Sequence, residues 1–116
     1  MNIEDYREYC LSFKATSEGF PFDEKVLVFK AGGKIFALCS IDPFDFVNLK
    51  CDPDWALELR AEHPGIKPGW HMNKKHWNSV LVDGSVDRKL LKDLIKHSYE
   101  LIVQSLPKKT RLEHDL

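Results

Sequence analysis

The segment Val26-Leu-Val-Phe-Lys30, Ala31-Gly-Gly33, Lys34-Ile-Phe-Ala-Leu-Cys-Ser40 constrains the fold of this chain more than any other. Two runs of β-branched and aromatic residues flank a pair of glycines, and a tight reversal between antiparallel strands needs residues that enter positive φ without a Cβ clash. A β-hairpin is therefore predicted. Pro43 interrupts the run, and Phe46-Val-Asn-Leu-Lys50 resumes it with Phe46, Asn48 and Lys50 on one parity and Val47 and Leu49 on the other. That alternation predicts a third strand of a meander.

Helices are signalled on both sides. Asn2 is a good N-cap, and Ile3, Tyr6, Cys10 and Phe13 recur at three- and four-residue spacing, which predicts an amphipathic helix over 2–14. Ala15 to Asp23 breaks that pattern, and Phe20 and Phe22 around Pro21 are expected in an ordered loop with their rings tucked under the sheet. At Asp52-Pro-Asp54 an N-cap, a proline at the first helical position and an acid near the positive end of the helix dipole coincide. They predict a short helix over 53–62, with Trp55, Ala56 and Leu59 on its apolar side and Pro64-Gly65 as its stop. Ile66–Met72 and His76–Val82 are expected to form a second hairpin reversing near Asn73-Lys-Lys75. Leu91, Leu94, Ile95, Ser98, Leu101, Ile102 and Ser105 mark one stripe of a helix from about 87 to 106, its small serines allowing close approach to a sheet. Pro107 ends it.

The order α-β-β-β-α-β-β-α has too few helices to cover both faces of a sheet. It predicts an α+β fold: one antiparallel sheet of about five strands, packed on one face by the N- and C-terminal helices, with the other face wet. A chain of 116 residues makes this one domain, 1–116, ending in a short basic, flexible tail over 108–116. The three cysteines, Cys10, Cys39 and Cys51, have no CxxC spacing and cannot pair completely, which fits a reducing cytoplasm. The acidic N-terminus does not resemble a secretion signal, and no apolar run reaches the roughly 20 residues that span a bilayer. A monomer with no membrane association is expected.

Charge is distributed unevenly in a chain whose net charge is only −1. Lys25–Ile41 holds Lys25, Lys30 and Lys34 without an acid, and His63–Val82 holds Lys67, Lys74 and Lys75 without one. The densest part, Lys67-Pro-Gly-Trp-His-Met-Asn-Lys-Lys-His-Trp-Asn78, mixes cations with Trp70, His71, His76 and Trp77. Both acid-free stretches fall on predicted β segments, so one face is expected to be positive on a nearly neutral protein.

Phe20-Pro-Phe22, Val28-Phe-Lys30, Gly33-Lys-Ile-Phe-Ala37, Leu49-Lys-Cys-Asp-Pro53, Met72-Asn-Lys-Lys-His-Trp77 and Ser98-Tyr99 stand in an order that resembles the bacterial YjbR/MmcQ family. The similarity runs over nearly the whole chain. It implies a small CyaY-like (frataxin-like) fold and DNA binding through a double wing of protruding loops. On that resemblance Lys74, Lys75, His76 and Trp77 match the positive wing, with Lys34 in the other hairpin.

The residues by themselves support a similar reading. Turns at Gly32-Gly33-Lys34 and Asn73-Lys74-Lys75 would sit side by side and meet phosphates, with Asn73, Asn78 and His76 as further donors. Lys34, Asn73, Lys74, Lys75 and His76 are the expected nucleic-acid contacts. The alternative is a binding module that takes a protein partner or a small anionic ligand on the open sheet face, with Trp70, His71 and Trp77 as contacts. Trp70 is the better candidate for an exposed ring, whereas Trp77 is expected in the core. His71 and His76 lack metal-ligand company, Glu4, Asp5 and Glu8 read as a solvated helix face, and no nucleophile or phosphate-loop motif is present. Neither catalysis, nor a metal, nor a cofactor is expected.

Overall fold

The computed structural model describes all residues, Met1–Leu116. Ten elements follow one another: α1 Ile3–Leu11, β1 Thr16–Gly19, β2 Val26–Ala31, β3 Lys34–Ser40, β4 Phe46–Lys50, α2 Pro53–Glu62, β5 Ile66–Pro68, β6 Trp77–Leu81, α3 Arg88–Ser105 and α4 Lys108–Glu113. All strand pairs are antiparallel in one six-stranded sheet of order β1-β2-β3-β4-β6-β5. The α+β architecture is as expected, with six strands rather than about five.

The extra strand explains its own concealment. Thr16-Ser-Glu-Gly19 is an edge strand with no large apolar residue, so it carries no hydrophobic alternation; it is identified only by its pairing with Val28–Ala31. Phe20 and Phe22 are not tucked under the sheet. They are 49% and 66% exposed: after β1 ends at Gly19, Phe20 borders Val28 and Lys30, and Phe22 borders Val26, Leu38 and Met72, on the face away from the helices.

Helix ends follow local chemistry. Asn2, Asp52 and Asp87 each accept a hydrogen bond from the backbone N–H three residues on, at 2.8, 3.1 and 3.4 Å, which satisfies donors that a first turn leaves free. The segment 108–116, expected as a flexible tail, is instead folded: α4 follows Pro107, and the Lys14 ammonium meets the Asp115 carboxylate at 2.5 Å. Its few apolar residues gave no periodic signal, yet Leu116 and Thr110 lie against the Gly32 turn beside Leu106, the C-cap of α3.

The core lies between the sheet and the helices. Leu27, Phe29, Ala37, Cys39, Val47, Leu49 and Val80 from the sheet meet Tyr6, Cys10, Leu91, Leu94, Ile95 and Ile102. Ser98 of α3 is fully buried beside Phe36, the β3 residue that the β2–β3 register shift leaves without a β2 partner. Its hydroxyl donates to the Phe36 carbonyl and accepts from the Lys50 N–H at 2.9 Å, so helix and sheet share hydrogen bonds as well as apolar contact. The opposite face has no helix, but it is not simply wet: Val28, Asn48 and Ser79 on it are buried, and the loop 69–76 lies over part of it.

Candidate functional site

Strand register fixes what the open face presents. Across the middle of the sheet, Val28 pairs with Leu38, Leu38 with Asn48, Asn48 with Ser79 and Ser79 with Lys67. Because side chains alternate faces along a strand, this row and the neighbouring Lys30–Ile35 and Lys50–Trp77 pairs share one side. Trp77, expected in the core, is therefore on the open face and only half-buried, since it shares parity with Ser79 rather than with Val80.

The loop from Gly69 to His76 is held internally. Gly69 N–H donates to Trp77 O at 2.8 Å, Trp77 N–H to Asn73 O at 3.0 Å, and Cys51 N–H to His76 O at 2.8 Å. The Asn73 side-chain oxygen accepts from the N–H groups of Lys75 and His76, at 3.0 and 3.2 Å, so it shapes the turn. Arg60 reaches in from α2: Nε donates to Asn78 Oδ1 at 2.7 Å, and Nη2 donates to Trp77 O and Lys74 O. A planar guanidinium can serve several acceptors at once.

Beneath the loop is a closed ring of hydrogen bonds. Trp70 N–H donates to Ser79 Oγ at 2.9 Å, the Ser79 hydroxyl donates to Asn48 Oδ1, and Asn48 Nδ2 donates back to Trp70 O at 3.1 Å. Burial of three polar groups in a sheet is tolerable only when each is satisfied. Here the satisfied ring fixes the backbone of one residue whose own side chain is 58% exposed. The Trp70 ring lies 5.7 Å from Phe46 and 5.1 Å from His71, the latter stacked at 18°. His71 reaches this position with φ +60°, a region non-glycine residues seldom occupy.

Three adjoining grooves run over this face. One of about 490 Å³ is lined by Lys30, Lys34 and Lys50 with Ile35, Met72 and Trp77, and by no carboxylate. The next, of about 640 Å³, lies between Phe22 and Trp70 over Val26, Leu38 and Asn48. The third, of about 600 Å³, has Trp70 and Phe46 with Lys67, Lys74 and Asp45. The first and second share Phe22, Leu38 and Met72, and the second and third share Asp45, Phe46 and Trp70. Partial burial, and then the charge of Lys34, holds the Lys50 ammonium below the usual lysine range. A group depressed in that way gains from an anion placed beside it.

Of the residues the sequence singled out, Lys34, Trp77, Trp70, His71 and Lys74 line this track, and Asn73, Lys75 and His76 do not. Lys34 pairs with core-facing Ala31 and donates to Ser105 Oγ of α3 at 2.8 Å, so it borders the first groove from the helix side at the end of the sheet; Lys74 donates to Gly69 O at 3.0 Å. Lys30, Lys50, Lys67 and Phe22 also line it; the sequence marked Lys30 and Lys67 only as cations of acid-free stretches and Lys50 only as one parity of a strand whose neighbours were unknown. No group of three His, Cys, Asp or Glu side chains comes together. Burial pushes the Cys39 and Cys51 thiols up to about 12, and that of Cys10 higher still. No helix is long and apolar enough to cross a membrane.

The YjbR family model matches residues 11–101. The Escherichia coli O157:H7 protein YbdF is 47% identical over 91 residues, which are 78% of this chain and 75% of that protein. YjbR of Escherichia coli K12 is 30% identical over 112 residues, 96% of this chain and 95% of its own length. Both carry the description uncharacterized. A crystal structure of a Deinococcus radiodurans protein with the domain DUF419 superposes with a TM-score of 0.92 at 41% identity, covering 99% of this chain and 88% of that one.

Proposed function

This chain belongs to the YjbR family, and we propose that it binds nucleic acid, DNA in the first instance, across the open face of its sheet. The observation that carries the reading is the groove lined by Lys30, Lys34 and Lys50 and free of carboxylates, beside an exposed tryptophan. Lysines supply the sequence-independent attraction to phosphates, and aromatic rings supply a surface for bases or sugars. The hairpin turn at Gly33-Lys34 and the loop that carries Met72 border the same groove, which is the arrangement two wings would need. Net charge of −1 does not oppose this, because none of the 18 acidic residues lines this groove.

Binding, not catalysis, is the proposed activity. Thiols whose pKa lies near 12 hold almost no thiolate at neutral pH. The 640 Å³ groove between Phe22 and Trp70 favours a second reading, a small aromatic anion whose ring lies in that groove while its charge reaches Lys30, Lys34 and Lys50 in the adjoining one.

Fluorescence anisotropy of labelled DNA over a salt series tests the reading. Wild type is expected to bind with log affinity falling against log salt at a slope of about −2 to −3, as about three phosphate contacts require. Lys30→Glu/Lys34→Glu, with an unchanged melting temperature, is expected to abolish binding. Absence of binding by wild type at low salt would refute the proposal and leave the small-anion reading.

A further inference from the structure

The three grooves differ in chemistry along their length, and that gradient selects the strand state of the ligand. We infer that the track takes a single strand, with an unpaired base stacked on the aromatic ledge of Trp70. The inference rests on the nucleic-acid reading above and narrows it. From Lys30 on β2 to Lys67 on β5 the face crosses four strand spacings, about 19 Å. Cations stand at both ends, with Lys30, Lys34 and Lys50 at one and Lys67 and Lys74 at the other. Between them the lining is mainly Phe22, Val26, Leu38, Phe46, Trp70 and Met72, with Asn48, His71 and one carboxylate, Asp45, which also borders the Lys67–Lys74 end.

A duplex meets a protein with phosphates outermost and its base faces already stacked inside. An apolar and aromatic middle offers it nothing, and the rings would stay wet. A single strand can turn its bases toward the protein, so that base faces cover the rings while phosphates reach lysines on either side. The Trp70 ledge is prepared for that role. The ring of hydrogen bonds through Ser79 and Asn48 fixes the Trp70 backbone, and His71 and Phe46 extend the stack. A ring whose position is already set loses little entropy when a base settles on it.

The test compares a labelled single-stranded oligonucleotide, the same sequence as a duplex, and a mononucleotide competitor, each at one salt concentration. The proteins are wild type, Trp70→Ala, Trp70→Phe and Lys30→Glu/Lys34→Glu. Single strand is expected to bind at least about tenfold tighter than duplex. Trp70→Ala is expected to weaken single-strand binding roughly 5- to 150-fold, the range of one base-stacking contact, and to weaken duplex binding far less, so that the preference for single strand is lost. Trp70→Phe should recover most of the loss. Duplex binding as tight as single strand, sensitive to the lysine reversals and indifferent to Trp70, overturns this inference and leaves the nucleic-acid reading standing. A mononucleotide that competes as well as the oligomer overturns it in favour of a small ligand. No binding of either nucleic acid overturns both.

Discussion

Replacing Ser98 by alanine tests whether α3 is joined to the sheet by hydrogen bonds as well as by packing. The hydroxyl bridges the Phe36 carbonyl and the Lys50 N–H from a fully buried position. Its removal deletes two hydrogen bonds, each worth about 1 kcal/mol net, and leaves two backbone groups without partners where water has poor access. Alanine returns up to about 0.5 kcal/mol through better helix propensity. The net loss is about 2–3 kcal/mol. With unfolding entropy near 2.1 cal/mol/K per residue, 116 residues give about 0.24 kcal/mol/K, so the melting temperature should fall by about 8–12 °C. Thermal unfolding followed by circular dichroism, with urea titration for the free energy, measures this. Ser105→Ala is the control: its exposed hydroxyl bridges Lys34 and the Ile102 carbonyl, and its loss should cost under about 0.5 kcal/mol. A Ser98→Ala loss below about 1 kcal/mol, or equal to that of Ser105→Ala, would refute the reasoning.

Two further consequences can be measured. Arg60→Ala, which frees the oxygens of Lys74 and Asn78 and leaves Trp77 O with only its bond from Gly69 N–H, is expected to destabilise by about 2 kcal/mol and to speed hydrogen exchange at Trp77. Arg60→Lys should fail to restore protection, because a point charge cannot span three acceptors; full rescue by lysine would sink the clamp. His97 is the acid-sensitive element. Its Nε2 accepts from Asp52 N–H at 3.1 Å, and burial lowers its pKa against the opposing pull of Asp52 and Glu100. The folded pKa thus lies below the unfolded value of about 6.5, so this contribution is complete above that value and is lost as pH falls through the folded pKa. The urea midpoint should drop between about pH 7.5 and 5.5 by more in wild type than in His97→Gln, and equal drops would contradict the assignment.

Local chemistry made some of this fold readable in the sequence. The Gly32-Gly33 hairpin, the Asp52-Pro53 helix start and the α3 stripe each depend on residues within a turn or two of one another, and the elements fall at or within a few residues of the expected positions. Where the outcome depended on a distant partner the sequence was silent. β1 exists only because β2 pairs with it, and α4 stays folded against Gly32 and Lys14. Even the segment richest in functional residues was misplaced in part. Its strands are shorter than the apolar letters implied, because Gly69 to His76 leaves the sheet to make a loop of its own hydrogen bonds. Strand parity groups Trp77 with Ser79 but does not say which face is the core.

The positions that the sequence underrated are the ones that make the site rigid. Asn48 and Ser79 look like polar accidents within strands, and Arg60 like one more cation on a wet helix. In the fold, Asn48 and Ser79 anchor Trp70 from below, while Arg60 holds the far end of the loop from the side. None of the three offers a phosphate or a base a conspicuous contact. Each nevertheless limits how far Trp70 can move relative to Lys30, Lys50 and Lys67, which are fixed on strands. A groove with cations on a sheet and an aromatic ring on a loop discriminates between ligands only if the spacing between them is constant, because a mobile ring would follow any ligand that the lysines attract. Asn48→Ala should therefore cost the face its preference between single strand and duplex before it costs the lysines their salt-dependent attraction.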